Sequence, residues 1–139
     1  MTTLEPNAPL IVVIDDELAI RRFLNASLSN EGYRVKEAEN AREGLRLLLQ
    51  ESPSAVLLDL GLPDREGREL IKELRGWSHV PIIVLSARDQ EREKVAALDA
   101  GADRILLVGA VPRVLLDLLQ AQADALGGGV ELEDDDPDL

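Results

Sequence analysis

Ala55-Val-Leu-Leu-Asp59-Leu-Gly61-Leu-Pro63-Asp64 is the stretch from which the fold can be read. An apolar run delivers one carboxylate to its end, and Gly61 and Pro63 then turn the chain. Short apolar runs closed by turn formers read as strands buried on both faces, the kind that fills a parallel sheet. A charge at the carboxyl end of such a strand stands where open α/β sheets bind their ligands, which makes Asp59 the leading candidate for chemistry.

Similar runs occur on either side. Leu10-Ile-Val-Val-Ile14 is mostly β-branched and stops at Asp15-Asp16-Glu17, while Pro81-Ile-Ile-Val-Leu85 stops at Ser86-Ala87. Arg104 to Val108 makes a fifth strand, and Tyr33 to Ala38, with Val35 between Arg34 and Lys36, reads as a more exposed one. Between them the spacing turns helical. In the first helix Leu18, Ile20, Phe23, Leu24 and Leu28 recur at near-helical spacing, and Asp16 or Glu17 suits its amino-terminal dipole. The second runs from Ala41 to Glu51 with Leu45, Leu48 and Leu49 on one side, and the third runs through Leu70, Ile71 and Leu74 to Trp77. The fourth, Glu91 to Ala100, turns Val95, Ala96 and Leu98 inward and stops at Gly101; the fifth has Pro112 in its first turn and reaches about Leu126. Five strands alternating with five helices predict an α/β doubly wound parallel sheet with right-handed crossovers.

Length and composition set the limits. A chain of 139 residues, 45% of them hydrophobic, holds one ordinary domain with a real core. The predicted layout is a loose lead over residues 1–9, the domain over 10–126 and an acidic, disordered tail over 127–139. Without cysteine there is no disulfide framework or thiolate metal site, and no early apolar segment approaches the ~20 residues that span a bilayer. A cytoplasmic protein with no membrane insertion is the expectation. The net charge of −12 argues against nucleic-acid binding, although half of that excess lies in Glu131, Glu133, Asp134, Asp135, Asp136 and Asp138.

The predicted sheet brings Asp15 and Asp16, Asp59 and Ser86 to one crevice from three strand ends. Taken singly, each acid is a helix or loop cap. Together, carboxylates so close repel unless a cation neutralises them, and oxygen donors without Cys or His select Mg²⁺ or Mn²⁺. An Asp beside a metal and a hydroxyl suits phosphoryl transfer, with the carboxylate as nucleophile.

Val13-Ile-Asp-Asp-Glu17, Leu57-Leu-Asp-Leu-Gly-Leu-Pro-Asp64, Pro81-Ile-Ile-Val-Leu-Ser-Ala87 and Ala97-Leu-Asp-Ala-Gly-Ala-Asp103 resemble the receiver domain of bacterial two-component response regulators. Ala19-Ile-Arg-Arg-Phe-Leu24, Arg75-Gly-Trp77 and Leu85-Ser-Ala-Arg88 make the chain most similar to the OmpR-type regulators of the Kdp potassium-uptake operon. The resemblance covers residues 10–103 and implies a flavodoxin-like (βα)5 fold, strand order 2-1-3-4-5. It implies that Asp59 accepts a phosphoryl group from a sensor histidine kinase. Asp16, Asp59 and the carbonyl of Gly61 would bind Mg²⁺, with Asp15 acting through a coordinated water. Ser86 would be the switch hydroxyl, helped by the backbone amide of Ala87.

Two positions depart from the family. Val108 stands where it has a Lys at the end of the fifth strand, and Ile105 replaces an aromatic switch residue; Arg104 and Arg113 are neighbouring cations. Beyond Asp103 the resemblance fades, which leaves a diverged receiver, an engineered segment or a reading-frame change that truncated a longer regulator. OmpR-type regulators carry a DNA-binding domain after the receiver; none is expected here, and a monomer or weak dimer is.

Two functions follow: a phosphoacceptor module that is not a turnover enzyme, or a degenerate receiver that binds a partner protein without a working switch. An aspartate-nucleophile phosphatase comes third, because Leu60-Gly61 rather than a second acid follows Asp59. The remaining features read plainly. His79 is a loop residue, Trp77 covers the core edge, Arg21-Arg22 is a solvated helix face with Glu17 in reach, and Gly127 to Gly129 is a linker.

Overall fold

A computed structural model describes residues 7–86 and 91–125. In chain order the elements are β1 (Leu10–Ile14), α1 (Leu18–Asn30), β2 (Arg34–Ala38), α2 (Ala41–Gln50), β3 (Ala55–Asp59), α3 (Gly67–Arg75), β4 (Ile82–Ser86), α4 (Glu91–Ala100), β5 (Arg104–Leu107) and α5 (Val111–Ala125). One five-stranded sheet runs β2-β1-β3-β4-β5, every pair parallel, which is the predicted order. The expected tail lies outside the described residues, as does most of the lead. Ala8, at the end of that lead, is buried, and its carbonyl accepts from Arg34 Nε at 2.9 Å.

Both faces of the sheet are covered. On one, Leu24 and Leu28 of α1 and Val111 and Leu115 of α5 pack on Ile11, Val13, Leu57, Ile83 and Leu85. On the other, α2, α3 and α4 cover Val12, Ile14, Val56, Leu58, Ile82 and Val84. β1, β3 and β4 are therefore buried on both sides, as their unbroken apolar runs require.

Several helix faces differ from the sequence reading. In α1 the inward stripe is Leu24 and Leu28, while Leu18 and Phe23 are about half exposed; Phe23 lies ~100° around the helix from Leu24. In α2 the buried line is Ala41, Gly44, Leu47 and Leu48, and Leu49 faces out. Gly44 decides this, because a Cβ there would sit 2.5 Å from Ile14 Cδ1, so the helix approaches the sheet along its glycine. In α4 the small Ala97 is buried while Val95 and Leu98 are exposed. That helix spreads its apolar residues around the axis, and the closest-packing one makes the contact. α3 stops at Arg75, leaving Trp77 beyond its end and 48% exposed. Gly101 ends α4 with φ +123°, a conformation that side-chain-bearing residues rarely adopt. β5 ends at Leu107, and Val108–Ala110 forms a single 3₁₀ turn into α5.

Candidate functional site

β1 and β3 end side by side, Ile14 opposite Leu58, so their following residues share the carboxyl edge of the sheet. There one oxygen each from Asp15, Asp16 and Asp59 lies within 4.8 Å of the others. Asp15 is 1% exposed, the one buried charged side chain among the described residues, and its Oδ1 accepts from Glu17 N at 2.8 Å. Asp59 Oδ1 accepts from Gly61 N at 3.2 Å. β4 pairs Leu85 with Asp59, which puts Ser86 one residue further along the same edge, opposite Leu107. Ala87 lies outside the described residues.

Burial pushes the Asp15 carboxyl up to about 6; the Glu17 amide opposes this, and repulsion from Asp59, Glu17 and Asp16 adds to it. Asp59 moves in the same direction, first through burial and then, against the Gly61 amide, through repulsion from Asp16 and Glu17. The charged neighbours acting on both are all acids. Three hard oxygen donors gathered at one edge fit a small divalent cation such as Mg²⁺.

Val108 packs on the α1/α5 side of the core and Ile105 on the α2–α4 side. Arg104 stands opposite Ile83 at the start of β5, three residues and ~10 Å from the Ser86–Leu107 pair. Arg113 is exposed in the first turn of α5.

Two polar side chains hold the site from outside it, and neither has a local sequence signal. Arg21, read above as a solvated face, is instead 12% exposed: Nη1 donates to Asp15 O at 2.7 Å and Nε to Glu37 Oε1 at 3.1 Å. Its partner is Glu37 on β2 rather than Glu17. Asp64 reaches back to α2, with Oδ1 accepting from Ala41 N and Oδ2 from Arg42 N, both at 2.9 Å.

The loop after Asp59 is tightly folded. Leu62 is buried in the core, and Gly67 N donates to Leu60 O at 3.1 Å. A Cβ on Gly67 would meet Leu60 Cα at 2.7 Å and Asp59 O at 3.1 Å, backbone that cannot swing aside. Gly67→Ala is thus expected to lower stability by about 1–3 kcal/mol in urea denaturation and to weaken Mg²⁺ binding by shifting Asp59. Unchanged values for both would show that the loop yields. An open groove of about 290 Å³ runs from Gly61 between α3 and α4, past Gly67, Arg68, Arg92 and Ala96.

A family model for the response regulator receiver domain matches residues 11–120. The chain belongs to this family. Its match continues past Asp103 through β5 into α5, so residues 104–120 fall within it. Among similar proteins, the KDP operon transcriptional regulatory protein KdpE of Escherichia coli K12 is 53% identical over 96 residues, 69% of this chain and 43% of that protein. The response regulator MprA of Mycobacterium ulcerans is 42% identical over 127 residues, 91% of this chain and 53% of that one. The chain spans about half the length of these curated relatives, or less. A solved CheY-like receiver domain from Methanospirillum hungatei JF-1 superposes with a TM-score of 0.74 at 31% identity, covering 86% of this chain and 96% of the other. No helix among the described residues of this receiver domain is long and apolar enough to cross a membrane.

Proposed function

We propose that this receiver domain is a phosphoacceptor module of a two-component phosphorelay, with Asp59 as the acceptor. The observation that carries the proposal is the convergence of Asp15, Asp16 and Asp59 at one sheet edge, in a chain whose family match spans nearly the whole domain. A carboxylate oxygen of Asp59 attacks the phosphorus of a phosphohistidine on a sensor kinase. The new O–P bond makes an acyl phosphate, the N–P bond breaks, and the imidazole leaves with a proton. The product stays on the protein, so the module is a stoichiometric acceptor rather than a turnover enzyme. Asp15, Asp16, Asp59 and the backbone of Gly61 would hold Mg²⁺, which supplies charge neutralisation for the phosphoryl oxygens. Asp15, oriented by its bond to Glu17 N, holds negative charge toward that ion. Ser86 and the Ala87 amide take the roles of switch hydroxyl and phosphoryl-oxygen donor.

Val108 and Ile105 bear on the response rather than on acceptance. Both are partly buried apolar residues packed against the core clusters, with no charge or ring to read out the phosphoryl group, so the conformational reply to phosphorylation is expected to be weak. The family match supports the acceptor reading and adds nothing in favour of a partner-binding module without phosphorylation.

Acetyl phosphate or beryllofluoride with Mg²⁺ tests the proposal, with mass spectrometry for the adduct and amide chemical shifts for the response. Modification of the wild type and none of Asp59→Asn is expected, with shifts confined to the neighbourhood of Asp59 and Ser86. An unmodified wild type, or an equally modified Asp59→Asn, overturns the acceptor; strong shifts throughout β5 and α5 overturn the weakened response.

A further inference from the structure

We infer that Asp64 is a positioning residue for the metal-binding loop: its carboxylate ties the backbone around Gly61 to the amino terminus of α2. The inference rests on the acceptor reading above and adds a residue to it.

The four amides that open α2 have four acceptors. Asp64 takes Ala41 N and Arg42 N, Asn40 Oδ1 takes Glu43 N at 2.8 Å, and Asn40 O takes Gly44 N at 3.1 Å. Asn40 alone is a sufficient cap for an ordinary helix. What Asp64 adds is a link between segments 23 residues apart. Desolvation opposes its charge, but the two amide bonds prevail and hold the carboxyl below its ordinary value.

The link reaches the other half of the site. Two residues before Asn40, Ala38 O accepts from Asp15 N at 3.0 Å, and Gly44 packs α2 directly on Ile14. Asp15 and Asp16 thus share one frame with the start of α2, and Asp64 references the loop after Asp59 to that frame. Without it the loop keeps its Leu62 plug and the Gly67 bond to Leu60 but loses its anchor to the opposing acids. Groups that orient a metal ligand from outside its coordination shell commonly change affinity by about 10- to 100-fold when removed.

Isothermal titration of the full chain with MgCl₂ tests this, comparing wild type, Asp64→Ala, Asp64→Asn and Asn40→Ala. Asn40→Ala weakens the same helix end without touching the loop, so it separates capping from positioning. We expect about a 10-fold weaker Mg²⁺ affinity in Asp64→Ala, a smaller loss in Asp64→Asn, which keeps one acceptor oxygen, and wild-type affinity in Asn40→Ala. Circular dichroism confirms that each variant is folded at the titration temperature, and Asp64→Asn serves if Asp64→Ala is not. Wild-type affinity in both Asp64 variants, or an equal loss in Asn40→Ala, overturns the inference while leaving the acceptor standing. A wild type that takes up no Mg²⁺ overturns both.

Discussion

Asp15→Asn is expected to raise the melting temperature of the metal-free receiver domain at pH 7.5 by about 5–10 °C while removing most of its Mg²⁺ affinity. Asp15 titrates near its ordinary value in the unfolded chain but at about 6 in the fold, where burial and three acidic neighbours disfavour its charge. The folded state therefore binds this proton more tightly than the unfolded one. The stability it contributes is complete below about pH 4 and is lost as the pH rises through about 6. A shift of this size corresponds to roughly 3 kcal/mol of destabilisation at neutral pH. Asn carries no charge and still offers Glu17 N an acceptor oxygen, so the repulsion disappears and the hydrogen bond survives. The gain should shrink toward zero as the buffer is taken to pH 4, where wild-type Asp15 is protonated. Mg²⁺ at about 100 times its dissociation constant should return roughly 2.7 kcal/mol to the wild type and little to the variant, closing the gap from the other side. Thermal melts in EDTA from pH 4 to 8, then with Mg²⁺, provide the measurement. A gain independent of pH, or a loss at pH 7.5, would show that the three acids do not strain the metal-free fold.

Arg75→Ala should cost about 3 kcal/mol with no direct effect on the acidic site. Its guanidinium closes the amino-terminal edge of the sheet. Nε donates to Gly101 O at 2.9 Å, Nη1 to Val80 O at 2.7 Å and Ser78 O at 3.3 Å, and Nη2 to Asp103 Oδ2 at 2.7 Å. The same Asp103 oxygen accepts from Ile82 N at 2.8 Å, so one side chain joins the ends of α3 and α4 to the starts of β4 and β5. The half-exposed ion pair contributes little by itself. The larger loss comes from carbonyls left without a donor and from the gap beside Gly101, where even an added Cβ would stand 2.7 Å from Arg75 Cγ. Arg75→Lys should recover less than half, since a single ammonium cannot serve four acceptors spread across a planar fork. Urea denaturation measures both variants, and Mg²⁺ titration of the folded fraction should give wild-type affinity. A loss below about 1 kcal/mol would show that solvent replaces the guanidinium.

The sheet was legible in the sequence because strands buried on both faces are continuous apolar runs. Leu10–Ile14, Ala55–Leu58 and Ile82–Leu85 need no periodicity to be recognised. Helix faces were less legible. α2 settles against the sheet at Gly44 and α4 at Ala97, where a small residue permits close approach, whereas counting leucines and valines pointed to Leu49, Val95 and Leu98, all exposed. Arg21 looked like part of a charged surface, since nothing within a helical turn indicates a bond to the carbonyl of Asp15 six residues back.

What the sequence by itself determined was the parallel sheet and the carboxyl edge carrying Asp15, Asp16, Asp59 and Ser86. Each is a local consequence of apolar runs ending in particular residues, whereas the departure at Val108 emerges only from the resemblance to the receiver family. Only the tertiary structure decided that Asp15 is the buried carboxyl, pushed up by desolvation and its acidic neighbours, and that Asp64 and Arg21 bond to the backbone around it. Desolvation, repulsion and hydrogen bonding depend on distances between side chains from different elements, and packing alone sets those distances.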